Sequence, residues 1–145
     1  MLMLSKKVEY ALIAVLHMAD LRPGSIVTAK DISEQYHIPA DLLGKVLQAL
    51  VRSGLVSSLQ GAHGGYHLAR ALDGIQLGEV IEAVEGPVFL TKCQEDPAQC
   101  GQFHACTIKE PVQLLQEQLQ QFIHSISLGA FRKTVRAPAA VGAPS

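Results

Sequence analysis

The chain has 145 residues, 48% of them hydrophobic and 17% charged, with a formal net charge of −1 and three cysteines. That is about one domain, able to bury roughly 70% of its unfolded surface without help from disulfides. The near-neutral charge gives no bulk pull toward nucleic acid, an odd cysteine count argues against a disulfide scaffold, and no leader-like or span-length apolar stretch is present, so a reducing, cytoplasmic setting is expected.

The charge is unevenly spread. Residues 1–70 carry seven Lys/Arg against five Asp/Glu, residues 71–131 carry two against eight, and residues 132–145 carry three against none. A mildly basic first half is thus joined to an acidic second half, a division compatible with a DNA-facing module followed by a different one.

In SKKVEYALIAVLHMADLRPG, Val8, Ala11, Leu12, Val15, Leu16 and Ala19 recur at the spacings of one helical face. Ser5 can cap the start, and Pro23-Gly24 is expected to end the helix. Thr28 with Asp31 three residues on predicts a capped second helix to about Gln35. Pro39 then sits where a first-turn proline is tolerated. Leu42, Leu43, Val46, Leu47, Leu50 and Val51 mark the buried face of a third helix, stopped by Gly54. The period then changes: residues 55–59 and 66–69 read as two short strands, with GAHGG between them expected to supply positive-φ positions for a hairpin. Three helices followed by a hairpin is a winged helix-turn-helix order. A fourth helix is expected at about 77–84, and residues 86–106 read as a loop.

Beyond that loop, Ile108, Val112, Leu115, Leu119, Phe122 and Ile126 recur at alternating spacings of four and three, a heptad seam. A continuous helix of roughly twenty residues would span about 30 Å, too long for so small a chain to cover alone, so it is expected to pack against its copy in a homodimer. TVRAPAAVGAPS at the end has the composition of a disordered tail.

On the third helix the face opposite the leucines holds Asp41, Gly44, Lys45, Gln48 and Arg52. Lys45 and Gln48 have the chemistry to read base edges, Arg52 suits a phosphate, and Gly44 leaves room for backbone approach. Lys30 and the pair Lys6-Lys7 are further phosphate candidates, and the wing adds Gln60, His63 and main-chain N–H groups through Gly64, Gly65 and Tyr66. His17, His37, His67 and His124 are expected as packed or half-buried side chains.

All three cysteines, Cys93, Cys100 and Cys106, fall within fourteen residues. Their spacing is too long for zinc-ribbon knuckles, and three thiolates from one open loop suit an iron–sulfur cluster. Zinc binding and a thiol-based redox switch remain alternatives, in a regulator or in an adaptor without a cluster. A thiol oxidoreductase would need a CxxC pair that is absent, and no catalytic pair stands out, so no enzyme activity and no small-molecule substrate are expected.

Taken together, LSKKVEYALIAVLHMA, DISEQYHIPADLLGKVLQALVRSGLVSSLQGAHGGYHLAR, IQLGEVIEAVEGP, the cysteine triplet and SISLGAF resemble the Rrf2 family of winged-helix transcription regulators, including its IscR- and NsrR-type iron–sulfur members. The resemblance covers about residues 2–132. It implies a homodimer with crossing C-terminal helices, double-stranded DNA as partner, and a two-iron or four-iron cluster on Cys93, Cys100 and Cys106 that senses nitric oxide, redox state or iron supply. It also places DNA contacts on Lys45, Gln48 and the 60–66 wing. IscR-type members carry a histidine three positions after the third cysteine, where this chain has Lys109. Other members use a first-helix carboxylate of the opposite subunit, a position matched by Glu9; His104 is a second candidate. Many members have arginine at the place of Gln60. The expected organisation is mainly α with a small β-hairpin wing: a winged helix-turn-helix over 1–86, a cluster-binding loop over 87–106, a dimerisation helix over 107–132 and a tail over 133–145.

Overall fold

Ser5 opens the first helix: its hydroxyl accepts from the Val8 N–H, and α1 runs Lys6–Ala19. The computed structural model describes residues 2–99, 101–102 and 104–136. The buried stripe of α1 is Val8, Ala11, Leu12, Ala14, Val15 and Met18, while Leu16 and Ala19 are half-buried, so the core face is rotated slightly from the one read in sequence. Capping by Asp20 ends the helix, not the later Pro23-Gly24. At α2 (Ala29–Tyr36) the Thr28 hydroxyl accepts from Asp31 N–H at 3.1 Å and the Asp31 carboxylate accepts from Thr28 N–H at 3.3 Å, a reciprocal capping box. Thr28, through its side chain first and its backbone second, holds the Asp31 carboxyl below its ordinary 3.8. The turn into α3 (Ala40–Arg52) passes through His37 in the left-handed region at φ 55°. His37 is exposed there, not packed, and Pro39 is the N-cap of α3, one place before the first turn.

Leu43, Val46, Leu47 and Leu50 of α3 are buried with α1 and Ile32 of α2 in one core, while Leu42 and Val51 lie at its edge. Strands β1 (Val56–Leu59) and β2 (Gly65–Leu68) pair antiparallel, from Val56 opposite Leu68 to Leu59 opposite Gly65. β1 starts one residue later than its sequence reading of 55–59, and β2 is shifted one residue earlier at both ends than its reading of 66–69. Val27, ahead of α2, forms a bridge with Tyr66, their backbones exchanging bonds of 3.0 and 2.8 Å, so the wing is tied to the helical core.

A turn at Leu72–Gly74 leads to α4 (Leu77–Glu85), where the Glu79 carboxylate accepts from Gln76 N–H at 2.8 Å and from Arg70 at 2.7 Å. The region 86–106 is not wholly loop: α5 (Lys92–Glu95) and a helical turn at Pro97–Gln99 lie within it. The C-terminal helix is also not continuous. α6 (Lys109–Ser125) stops where Gln76 and Ser127 form a bridge, with Leu77 N–H donating to Ile126 O and Leu128 N–H to Ile75 O. α7 (Leu128–Arg136) then begins, so 133–136 is helix, and the rest of the expected tail, 137–145, lies outside the described residues. Ile123 and Leu128 join the core shared with α1, α3 and α4. The end of α6 is thus anchored to the helix-turn-helix, while Leu114 and Leu115 in its first half are exposed.

Candidate nucleic-acid interface and cysteine cavity

The outer face of α3 exposes Asp41, Lys45, Gln48 and Arg52, because its leucines are committed to the core. Gly44 is half-buried, and nothing lies within 4 Å of where its Cβ would stand. The chain's own packing does not require a glycine there, and the space is open to an external partner. Gln48 and Arg52 of α3 meet Gln60 and Tyr66 of the wing around a groove of about 260 Å³. The wing therefore brings together candidates that sit eight or more residues apart in sequence. His63 is exposed at the tip.

Two glycines of the wing have reasons inside the chain. Among 61, 64 and 65 only Gly61 has positive φ, at 112°. A Cβ on Gly64 would collide with the Leu59 carbonyl and one on Gly65 would stand 2.7 Å from Val27 O, so both are there for close backbone approach. The N-terminal cations are engaged locally. Lys6 lies 3.0 Å from Glu9, whose hydrogen bond and charge raise the Lys6 pKa above 10.5, and Lys30 lies 3.9 Å from Glu34. These pairs are exposed and so weak; a phosphate or another ligand can displace them.

In the acidic half, Cys93 and Cys106 are free, half-buried thiols lining one cavity of about 530 Å³ between α5 and the start of α6. Thr91 Oγ1 lies 3.1 Å from Cys93 Sγ, a hydrogen bond in which either group can donate. Cys100 lies outside the described residues. Lys109 also lines the cavity, Glu9 of the same chain does not, and His104 is exposed in the turn before Cys106. Among the described residues no three His, Cys, Asp or Glu side chains are grouped to hold a metal ion.

One residue here escaped sequence reading. Gln116 of α6 is buried; its Nε2 donates to Val88 O and its Oε1 accepts from Leu90 N–H at 2.7 Å, while Gln120 Nε2 donates to Val88 O at 3.0 Å. The two amides supply partners to the backbone of the segment that leads into the cysteine loop. In a helix containing Gln113, Gln116, Gln118, Gln120 and Gln121, nothing in the pattern singles out the two that clamp. His124 Nε2 lies 2.9 Å from Glu82 Oε1 and its ring packs over Gly78, joining α6 to α4. His17 Nδ1 lies 2.7 Å from the Tyr36 hydroxyl and is half-buried as expected, whereas His67 is exposed on β2.

Residues 4–133 match the sequence profile of the Rrf2 family, described as iron-dependent transcriptional regulators. A putative HTH-type transcriptional regulator, ORF2 of Azotobacter vinelandii, is 36% identical over 125 residues, covering 86% of this chain and 76% of the relative. The HTH-type transcriptional regulator IscR of Klebsiella pneumoniae (strain 342) is 36% identical over 126 residues, 87% of this chain and 77% of the relative. Among solved structures, CymR, the global cysteine regulator of B. subtilis, superposes with a TM-score of 0.70 at 25% identity, covering 92% of this chain and 98% of that one. T. potens IscR gives 0.69 at 25% identity, covering 92% and 88%.

Proposed function

The chain belongs to the Rrf2 family of DNA-binding transcriptional regulators, and on that premise we propose that it acts as a homodimer whose iron–sulfur cluster adjusts promoter binding in response to nitric oxide, redox state or iron supply, in the cytoplasm. The observation that carries the sensing part is that Cys93 and Cys106 share one cavity. Thiolates are the donors that iron–sulfur clusters take, so the donor chemistry fits. Cys93, Cys100 and Cys106 would hold the cluster, with Glu9 of a second copy, His104 or an exogenous ligand in the fourth position. Glu9 is half-exposed and tied only to an exposed lysine, so releasing it costs little. When bound, the cluster supplies an iron centre open to oxidation and to small reactive molecules.

Homodimerisation draws support from α6. Ile108, at the N-cap of the 17-residue helix, and Leu115 and Phe122 on it are 58%, 53% and 61% exposed at seven-residue intervals, while another face of the helix meets the core through Ile123. A second copy laid along that stripe covers it and doubles the DNA-reading surface, so two recognition helices can meet successive major grooves. Lys45, Gln48, Arg52 and Gln60 read bases and phosphates on each half-site, with Lys6, Lys30, Asp41, His63 and the Gly64–Tyr66 backbone at the margins. The control is linkage: a cluster that favours one spacing of the two reading helices changes DNA affinity, and DNA must change cluster affinity reciprocally.

Anaerobic purification followed by visible absorption and iron and sulfide analysis tests the cofactor. The reading expects a coloured protein, with colour lost in Cys93→Ala and Cys106→Ala. A colourless native protein holding one zinc per chain, or no metal, would replace it with a zinc- or thiol-based regulator.

A further inference from the structure

The wall of the cysteine cavity contains a polar group with nothing to bond. Gln94 follows Cys93 in α5 and lines the same cavity as Cys93 and Cys106. Both atoms of its side-chain amide, Nε2 and Oε1, are buried and have no hydrogen-bond partner among the described residues. Gln116, on the opposite wall, is fully committed to Val88 and Leu90. An amide buried without partners disfavours the folded state by roughly tenfold or more, whereas methionine or leucine would fill the same space without that penalty. Such a group is understandable when its partner arrives with a ligand.

We propose that Gln94 is a cofactor-contacting residue: its amide N–H donates to a sulfur of the cluster held by the cysteine loop and is unpaired only when the cavity is empty. The inference rests on the cluster reading above. A glutamine has enough rotatable bonds to swing its amide toward a group in the cavity while α5 stays in place. A donor aimed at a thiolate or sulfide spreads the charge of the reduced cluster, which favours reduction; hydrogen bonds to the sulfurs are among the features that set these potentials. Gln94 therefore acts on the ease of reduction and on retention of the cluster, without being one of its ligands.

The test compares the full-length protein with Gln94→Met, a change of similar length that removes the amide. In the apo form the thermal midpoint of the variant should equal or exceed that of the native protein, since an unsatisfied group has been removed. In the loaded form the ratio of reduced to oxidised cluster at a fixed ambient potential should fall about tenfold, a shift of about 59 mV for a one-electron couple. Loss of the cluster to a chelator should be faster by a similar factor. A variant with a native apo midpoint that fails to assemble the cluster also supports the contact. A lowered apo midpoint would make Gln94 a structural residue and overturn the proposal. A loaded variant with unchanged potential and unchanged loss rate would overturn it too, while leaving the cluster reading intact. If the native protein itself takes up no iron and sulfide under reducing conditions, both fail together.

Discussion

Replacing Phe122 by alanine tests the face that a second copy is proposed to cover. Phe122 is 61% exposed, and for a side chain carrying about 200 Å² of surface that leaves about 120 Å² uncovered on each chain. Covering both copies removes about 240 Å² from water, worth about 6 kcal/mol at ~25 cal/mol per Å². Alanine at the same place keeps roughly a third of that area, so the dimer loses about 4 kcal/mol and its dissociation constant rises about a thousandfold. Sedimentation equilibrium over a concentration series measures this directly, and circular dichroism of the variant should stay native because Phe122 is outside the core. A dissociation constant within about threefold of the native value would refute the assignment of this stripe to the dimer.

Gln116→Leu leaves Leu90 N–H without its side-chain acceptor and Val88 O with the Gln120 amide alone; urea unfolding should show a loss of about 2 kcal/mol. Gly44→Ala should fold with a gain of about 0.5–1 kcal/mol, since nothing crowds the site, yet bind DNA more weakly in a fluorescence-anisotropy titration; unchanged affinity would remove that face of α3 from the interface. Gly65→Ala, whose Cβ would stand 2.7 Å from Val27 O, should instead lose stability and DNA affinity together. Burial raises the Glu79 carboxyl, but the Gln76 N–H and the Arg70 guanidinium outweigh it and hold the group below its ordinary 4.5. Its contribution is therefore fully present above that value and is lost as pH falls through the depressed folded-state value. Thermal melts from pH 6 downward should show a drop in the acid limb that Glu79→Gln flattens.

The helix-turn-helix was legible because local rules decide it. Ser5 and Thr28 cap where their side chains can accept from the first turn, and the leucine spacing of α3 leaves one face for the core and one for a ligand. The Val27–Tyr66 bridge was hidden because its partners are remote in sequence and Val27 belongs to no strand of its own. The heptad reading of the C-terminal helix merged two faces. Ile108, Leu115 and Phe122 point to solvent while Ile123, outside the seam, is buried; the spacing of apolar residues alone does not say which of two adjacent stripes meets the chain's own core. The break after Ser125 follows from bonds that the 126–128 backbone makes to the entry of α4, a non-local competitor to helix continuation. The crowding of Cys93, Cys100 and Cys106 was visible in sequence, and Cys93 and Cys106 do line one cavity; that Gln94 and Gln116 lie on it too was not visible, because glutamine is ordinarily a solvent-facing residue.

The central claim is that the state of the cysteine loop sets DNA affinity. The most direct measurement is the dissociation constant of cluster-loaded and apo protein for one operator fragment, under anaerobic conditions and at fixed salt, since phosphate contacts make every such value salt-dependent. The account predicts a difference of at least tenfold between the two forms, with the same factor relating cluster loss from free and from DNA-bound protein. Equal affinity of both forms for every promoter fragment tried would contradict it.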